Sequence, residues 1–263
     1  MSLPIVSEAS LETPSSCSAA PVIQLDNVGV RYRVPLEKYW SFKEYMVQRL
    51  RGRVDYHELW ALDSVSMAVH EGEVFGVVGR NGAGKSTLLK VISRVLRPTR
   101  GRVRVWGHLA PLLELGAGFH SELTGRENVF LNGALLGHTR AEITQKFDEI
   151  LSFADIEAFM DAPLRTYSSG MIARLGFAVA TAWEPDLLIL DEVLAVGDEA
   201  FQQKCHHRIQ SFQQKGATVV LVSHNLGQIQ ALCQRAIWLD HGAVMAEGEP
   251  SAVVARYRES QSA

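Results

Sequence analysis

The chain has 263 residues, 47% hydrophobic and 21% charged, with a formal net charge of -3. That balance is ordinary for a globular protein, and the slight acidity leaves no global basic field to recruit nucleic acid. No apolar run approaches the roughly 18–20 residues that a membrane helix needs, so a transport role would require a separate membrane subunit.

Residues 1–20 are rich in Ser, Pro, Ala and Glu and lack the basic start and apolar stretch of a signal peptide. They are expected to form a disordered tail, with one domain over 21–263. Val28, Val30, Tyr32 and Val34 alternate as in a half-buried strand, and Val65, Met67 and Val69 do likewise. These predict a small antiparallel sheet. An insertion over 35–58 separates them. Within it Ser41 and Glu44 have capping-box spacing, and Phe42, Tyr45, Met46, Arg49 and Leu50 follow at helical spacing. Lys43, Arg49, Arg51 and Arg53 make the polar side basic. The segment reads as a surface helix packed on its own domain or as one lying near a membrane or a partner subunit.

The pattern then changes. Residues 74–78, 187–190 and 219–222 are continuous apolar runs, as in strands covered on both faces. Helical stretches separate them, which predicts a parallel α/β core. Ile237 to Leu239 and Val244 flank Asp240-His241-Gly242, a hairpin with Gly at its turn. The cysteines, Cys17, Cys205 and Cys233, are too few and odd in number for a disulfide framework. Cys205 precedes His206 and His207, but no second Cys/His cluster stands at ligand spacing, so a solvated helix is the preferred reading there.

Residues 79–87 read Gly-Arg-Asn-Gly-Ala-Gly-Lys-Ser-Thr. Gly79, Gly84, Lys85 and Ser86 satisfy G-x-x-x-x-G-K-[ST]. A buried strand enters this loop, and a helix-forming run from Ser86 to Leu96 leaves it. The glycines Gly79, Gly82 and Gly84 let backbone N–H groups, with Asn81 and Thr87 alongside, approach phosphates. Lys85 supplies charge to the β- and γ-phosphates and Ser86 a hydroxyl to Mg²⁺. The run 187–190 ends in Asp191-Glu192, at the sheet edge where open α/β folds bind ligands. Asp191 suits the Mg²⁺ shell and Glu192 the polarisation of an attacking water. A further apolar strand ends at Ser223-His224, placing His224 for contact with the γ-phosphate. No Asn-Lys-x-Asp base reader for GTP is present.

Tyr167-Ser168-Ser169-Gly170-Met171 stands 23 residues before Asp191 (191 minus 168, counted from Ser168) at an expected helix start. It resembles the signature motif of ABC ATPases, usually Leu-Ser-Gly-Gly-Gln. Ser168 and Gly170 match, while Tyr167, Ser169 and Met171 depart. The resemblance spans nearly all of residues 22–250. It implies an ABC-type P-loop fold with an N-terminal antiparallel β subdomain and a helical signature subdomain at about 118–182. It also implies ATP and Mg²⁺ as ligands. In such proteins the signature closes over the nucleotide of the opposite subunit, which implies a homodimer. Ser168, Ser169 and Gly170 would then bind the partner's ATP. Gly197-Asp198 matches the D-loop, assigning Asp198 to ATP binding, and His224 the switch histidine. Glu114 stands where most members carry a Gln that reaches the metal. Tyr32 is favoured as the aromatic that stacks on adenine, over Tyr56 and Trp60.

Within the family the chain looks most similar to ATP-binding subunits of polysaccharide exporters, with teichoic acid exporters similar. The stretches 112–119, 123–128, 166–171 and 194–198 carry this, and the insertion at 35–58 matches the place of their gate helix. The implied partners are two copies of a transmembrane permease, the polysaccharide reached through it, and no nucleic acid. The implied place is peripheral, on the cytoplasmic side of the inner membrane. The chain ends soon after the hairpin, so no separate carbohydrate-binding module is expected. A soluble ABC ATPase of translation or DNA repair is the alternative. It fits less well, because there is one phosphate loop and no heptad run.

Overall fold

The computed structural model describes residues 21–35, 46, 56–112, 115–191 and 197–262. The expected tail at 1–20 and most of the 35–58 insertion lie outside the described residues. The strands claim both ends of that insertion, and Met46 within it is helical and exposed.

Two sheets organise the fold. The first is three-stranded and antiparallel, in the order β2-β1-β4, from β1 (Pro21–Pro35), β2 (Tyr56–His70) and β4 (Arg100–Val105). Val28 pairs with Val65 and Ile23 with Val69, as the alternating patterns predict. β4 was not foreseen. Its Val103 and Val105 pair with Leu25 and Ile23 on the inner side, while Arg100, Arg102 and Arg104 alternate with them.

The second sheet has six strands in the order β5-β6-β7-β3-β8-β9. These are β3 (Val74–Val78), β5 (Leu109–Leu112), β6 (Leu187–Asp191), β7 (Thr218–Val222), β8 (Arg235–Asp240) and β9 (Ala243–Gly248). All neighbours pair in parallel except β8 and β9, which form the expected hairpin. Its turn residues His241 and Gly242 have φ of 45° and 80°. A two-residue hairpin loop with both residues left-handed matches the strands' twist, and glycine relieves half of the steric cost.

The continuous apolar runs are explained by two covered faces. Phe75 and Val77, Leu187 and Ile189, and Val220 and Val222 pack into one cluster. That cluster includes Leu88, Leu89 and Ile92 of α1 (Lys85–Ile92) and the inner face of the antiparallel sheet. Val74 and Val78, Leu188 and Leu190, and Val219 and Leu221 pack into another. There they meet Phe201, Cys205 and Ile209 of α5 (Glu199–Gln214), Ile229 of α6 (Leu226–Leu232), and Val253 and Val254 of α7 (Pro250–Ser262). Cys205 is 1% exposed, and burial pushes its thiol up to about 12. It is a core residue, while His206 and His207 beside it are exposed.

α1 stops earlier than its composition suggested. Arg94 turns to a φ of 60°, and the N–H groups of Val95 and Leu96 donate back to the Lys90 carbonyl. Such a left-handed exit satisfies the last carbonyls of a helix.

A helical layer sits on a third cluster. It comprises α2 (Gly125–Leu135), α3 (Arg140–Ala154) and α4 (Ser169–Ala180). Thr124 with Glu127, and Thr139 with Glu142, form full capping boxes that start α2 and α3. Both pairs hold their glutamates below the usual carboxylate range, chiefly through hydrogen bonds with the cap threonine. Asn128 is fully buried. Its Nδ2 donates to the carbonyls of His120, Leu123 and Thr124, and its Oδ1 accepts from His120 N–H at 2.7 Å.

Candidate functional site

The carboxyl ends of β3, β6 and β7 converge, because these strands are parallel neighbours; Val77 and Asp191 both stand opposite Val222. A cleft of about 440 Å³ opens there, lined by Ala61, Asn81, Gly82, Gly84, Lys85, Ser86, Thr87, Asp191 and His224. The sequence singles out eight of these nine for phosphate or metal contact, on one continuous motif and two strand ends. Ala61 is an addition, and so is the turn behind it.

Lys85 is 8% exposed, and its Nζ donates to the Gly79 carbonyl at 2.7 Å and the Arg80 carbonyl at 3.0 Å. The loop is thus folded around its own cation. Gly84 precedes α1 with φ of 105°, and a Cβ there would lie 2.5 Å from the Ala61 carbonyl oxygen. Only glycine fits this close crossing of the loop and β2. The tip of the β8–β9 hairpin fastens the same crossing. Gly242 N–H donates to the Ala83 carbonyl at 3.0 Å, and Asp63 N–H donates to the Gly242 carbonyl at 2.8 Å. α1 has no side-chain cap, which leaves its first N–H groups to face the cleft. A glycine cradle, a buried cation, a helix start, a hydroxyl and a carboxylate together fit a Mg²⁺-bound triphosphate.

His224 is exposed on the turn after β7. The turn is set by its neighbours: Ser223 Oγ accepts from Asn225 N–H and donates to Gln228 Oε1, and Asn225 caps α6. Glu192 and Glu114 lie outside the described residues.

The aromatic candidates separate by strand face. Tyr32 continues the Val28 and Val30 side of β1 and pairs with Leu59; it is 38% exposed. Trp60 pairs with Arg31 on the opposite side. There its ring lies against the guanidinium groups of Arg31, 5.6 Å from the ring centroid, and Arg100, at 4.5 Å. Tyr56 pairs with Pro35, at the same parity as Trp60.

The signature-like segment is elsewhere. Ser168 caps α4, its Oγ accepting from Met171 N–H at 3.2 Å. Ser168 and Ser169 are exposed, and neither they nor Gly170 lines the cleft. Tyr167, which departs from the usual leucine, is buried over Gly125, and its hydroxyl donates to the Phe159 carbonyl at 2.6 Å. Burial raises its phenol further above neutrality. The departure is therefore met by a buried and satisfied polar group. Asp198 caps α5, accepting from Phe201 N–H, and also pairs with Arg174. The Phe201 bond is the main reason its carboxyl is held down, with Arg174 adding to it.

A family model described as ABC transporter matches residues 62–195. The chain is 46% identical to an O-antigen export system ATP-binding protein of Myxococcus xanthus over 235 residues, 88% of this chain and 54% of that one. A protein of the same description from Klebsiella pneumoniae is 41% identical over 248 residues, 92% of this chain and 99% of that one. A teichoic acids export ATP-binding protein of Bacillus anthracis is 38% identical over 237 residues, 90% of this chain and 42% of that one. The chain thus spans about half the length of some relatives and nearly all of another. Among solved structures, a dimeric ATP-binding cassette in a post-hydrolysis state bound to ADP and Pi has the same fold. Its TM-score is 0.66 at 23% identity, covering 87% of this chain and 98% of that one. The P-loop cleft, the capped signature helix and these relatives together establish that the chain belongs to the ABC transporter ATP-binding family.

Proposed function

We propose that this chain binds and hydrolyses ATP to drive an exporter of a lipid-linked polysaccharide of O-antigen type across the cytoplasmic membrane. The observation that carries the ATPase part is the convergence of Lys85, Ser86, Asp191 and His224 on one cleft, with Ser168 and Ser169 exposed away from it. The substrate class is supported by the O-antigen export relatives, one of them matched over 99% of its length. No helix among the described residues is long and apolar enough to cross a membrane. Two copies would therefore act peripherally, through two copies of a permease, on the cytoplasmic side.

In this mechanism Lys85 exchanges its loop carbonyls for the β- and γ-phosphate oxygens. Gly79 to Gly84 direct N–H groups at the same oxygens, with Asn81 and Thr87 beside them. Ser86 and Asp191 would hold Mg²⁺, and Glu114 would be the further candidate for the same shell. A Mg²⁺ held there would supply positive charge against the negative charge that develops on the phosphates. Tyr32 stacks on adenine. Glu192 orients the attacking water and takes its proton. His224 contacts the γ-phosphate. Ser168, Ser169, Gly170 and Asp198 of the second copy close the site and stabilise the charge that develops on transfer. Closure moves the permease; hydrolysis and phosphate release reset it.

The test is genetic and chemical. A strain lacking this chain should accumulate undecorated or intracellular glycan, and the wild-type chain should restore export while Lys85→Ala does not. Analysis of the retained polymer separates the readings. A lipid-linked O-antigen-type glycan supports the proposal, and a retained teichoic-acid-type polymer assigns the chain to that substrate instead. Unchanged surface polymers would contradict an export role.

A further inference from the structure

The start of α4 and the start of α5 are tied together inside one chain. Arg174 lies on α4, six residues after Ser168 (174 minus 168). Its side chain is 18% exposed and reaches three groups. Nη2 donates to Asp198 Oδ2 at 2.8 Å, and Nη1 lies 3.6 Å from Asp155 Oδ2. The guanidinium carbon sits 4.9 Å from the Phe201 ring centroid. Asp198 spends its other oxygen, Oδ1, on Phe201 N–H at 2.9 Å, capping α5. Asp155 is the left-handed residue that ends α3.

This junction needs arginine. A planar fork can serve two carboxylates while its face stacks on an aromatic ring; a lysine offers a single point of charge. Arg174 is shielded while the side chains of Asp155 and Asp198 are 67% and 64% exposed, so the tie rests on the shared fork and the Phe201 stack rather than on charge alone. None of Arg174, Asp155, Asp198 and Phe201 lines the phosphate cleft. The tie instead joins the two segments that, under the proposed function, face the nucleotide held by the other copy.

We propose that Arg174 is a positioning residue for the partner's ATP: it locks the Ser168–Gly170 end of α4 to Asp198, so that both meet that nucleotide as one rigid piece. This inference rests on the two-copy function proposed above and adds the residue that couples its two trans-acting segments.

Mixed dimers test it. Both copies carry Glu192→Gln to block hydrolysis, and one also carries Lys85→Ala, leaving one site able to hold ATP. Arg174→Met is added either to the Lys85→Ala copy, whose α4 faces the loaded site, or to the other copy. The readout is ATP retained after rapid gel filtration, with thermal melting of each variant alongside. Retention should fall about tenfold or more in the first placement and stay within about twofold in the second, where tenfold corresponds to one decade in affinity. Arg174→Lys in the first placement should fall in between. Equal loss in both placements would mean a merely structural residue and overturn the inference, as would no loss in either. If the dimer without any Arg174 change retains no ATP, the two-copy function itself fails, and the inference with it.

Discussion

The phosphate cleft and the exposed start of α4 are built by opposite means. The cleft is made of backbone and buried support: fully covered strands end at it, Lys85 is 8% exposed, and a glycine crossing and a hairpin tip brace the loop. The start of α4 is made of exposed side chains. Ser168 and Ser169 face outward, Tyr167 anchors the segment from below, and Arg174 braces it from the side. Under the proposed function, the contrast teaches that one chain carries two unlike halves of a site. The first half is shaped to hold a ligand by itself. The second is held rigid, yet it lines no ligand cleft among the described residues.

Lys85→Ala breaks the first half, and its effect should be the largest. Charge stabilisation of this kind is worth about 10²–10³ in rate, so ATPase activity should fall to background and nucleotide affinity with it. Near-normal turnover in that variant would remove the cleft from the mechanism. Asn128→Ala strikes the layer that supports the second half. It strands several buried groups, each costing about 1–3 kcal/mol, so unfolding stability should fall by about 2–3 kcal/mol in denaturant titrations. ATP binding by the isolated chain should stay near normal, because Asn128 touches no cleft residue. Equal loss of both would show that the two halves fold and bind as one.

Ser168→Ala should be milder in stability, about 1 kcal/mol for a lost N-cap. Its activity loss should depend on dimer formation: ATP binding to the monomer is unaffected, while hydrolysis at saturating ATP drops. The smallest effect is acid sensitivity. Glu127, Glu142 and Asp198 all have carboxyl groups held below their ordinary values, mainly by hydrogen bonds. A depressed folded value stabilises the protein fully above the ordinary carboxylate range, near about 4. That contribution is lost as pH falls through the lower, folded values. Melting temperature should therefore fall as pH drops below about 4, and Glu127→Gln should flatten the decline.

The sequence made the cleft legible where its parts were contiguous. Nine consecutive residues, 79–87, carry the loop, and two apolar runs announce the strand ends at Asp191 and His224. Runs 74–78, 187–190 and 219–222 read correctly because burial on two faces removes polar alternation. The parts that escaped are those assembled only in three dimensions. Ala61 reaches the loop through its carbonyl, which no side-chain pattern encodes, and Gly242 does so through a hairpin tip 158 residues beyond Gly84 (242 minus 84). β4 escaped because half of its short span is arginine, and β5 because Pro111 sits on a sheet edge, where a missing N–H is tolerated. The end of α1 escaped because Arg94, not a glycine, takes the left-handed turn. The capping boxes at Thr124 and Thr139 did carry a visible Thr-x-x-Glu signal.

The central claim is that two copies close on ATP. The most direct measurement is sedimentation of Glu192→Gln with ATP and Mg²⁺, together with a count of bound nucleotide. A species of twice 29.1 kDa holding two nucleotides is the predicted result. A strict monomer at saturating ATP, alone and with its permease, would contradict the account.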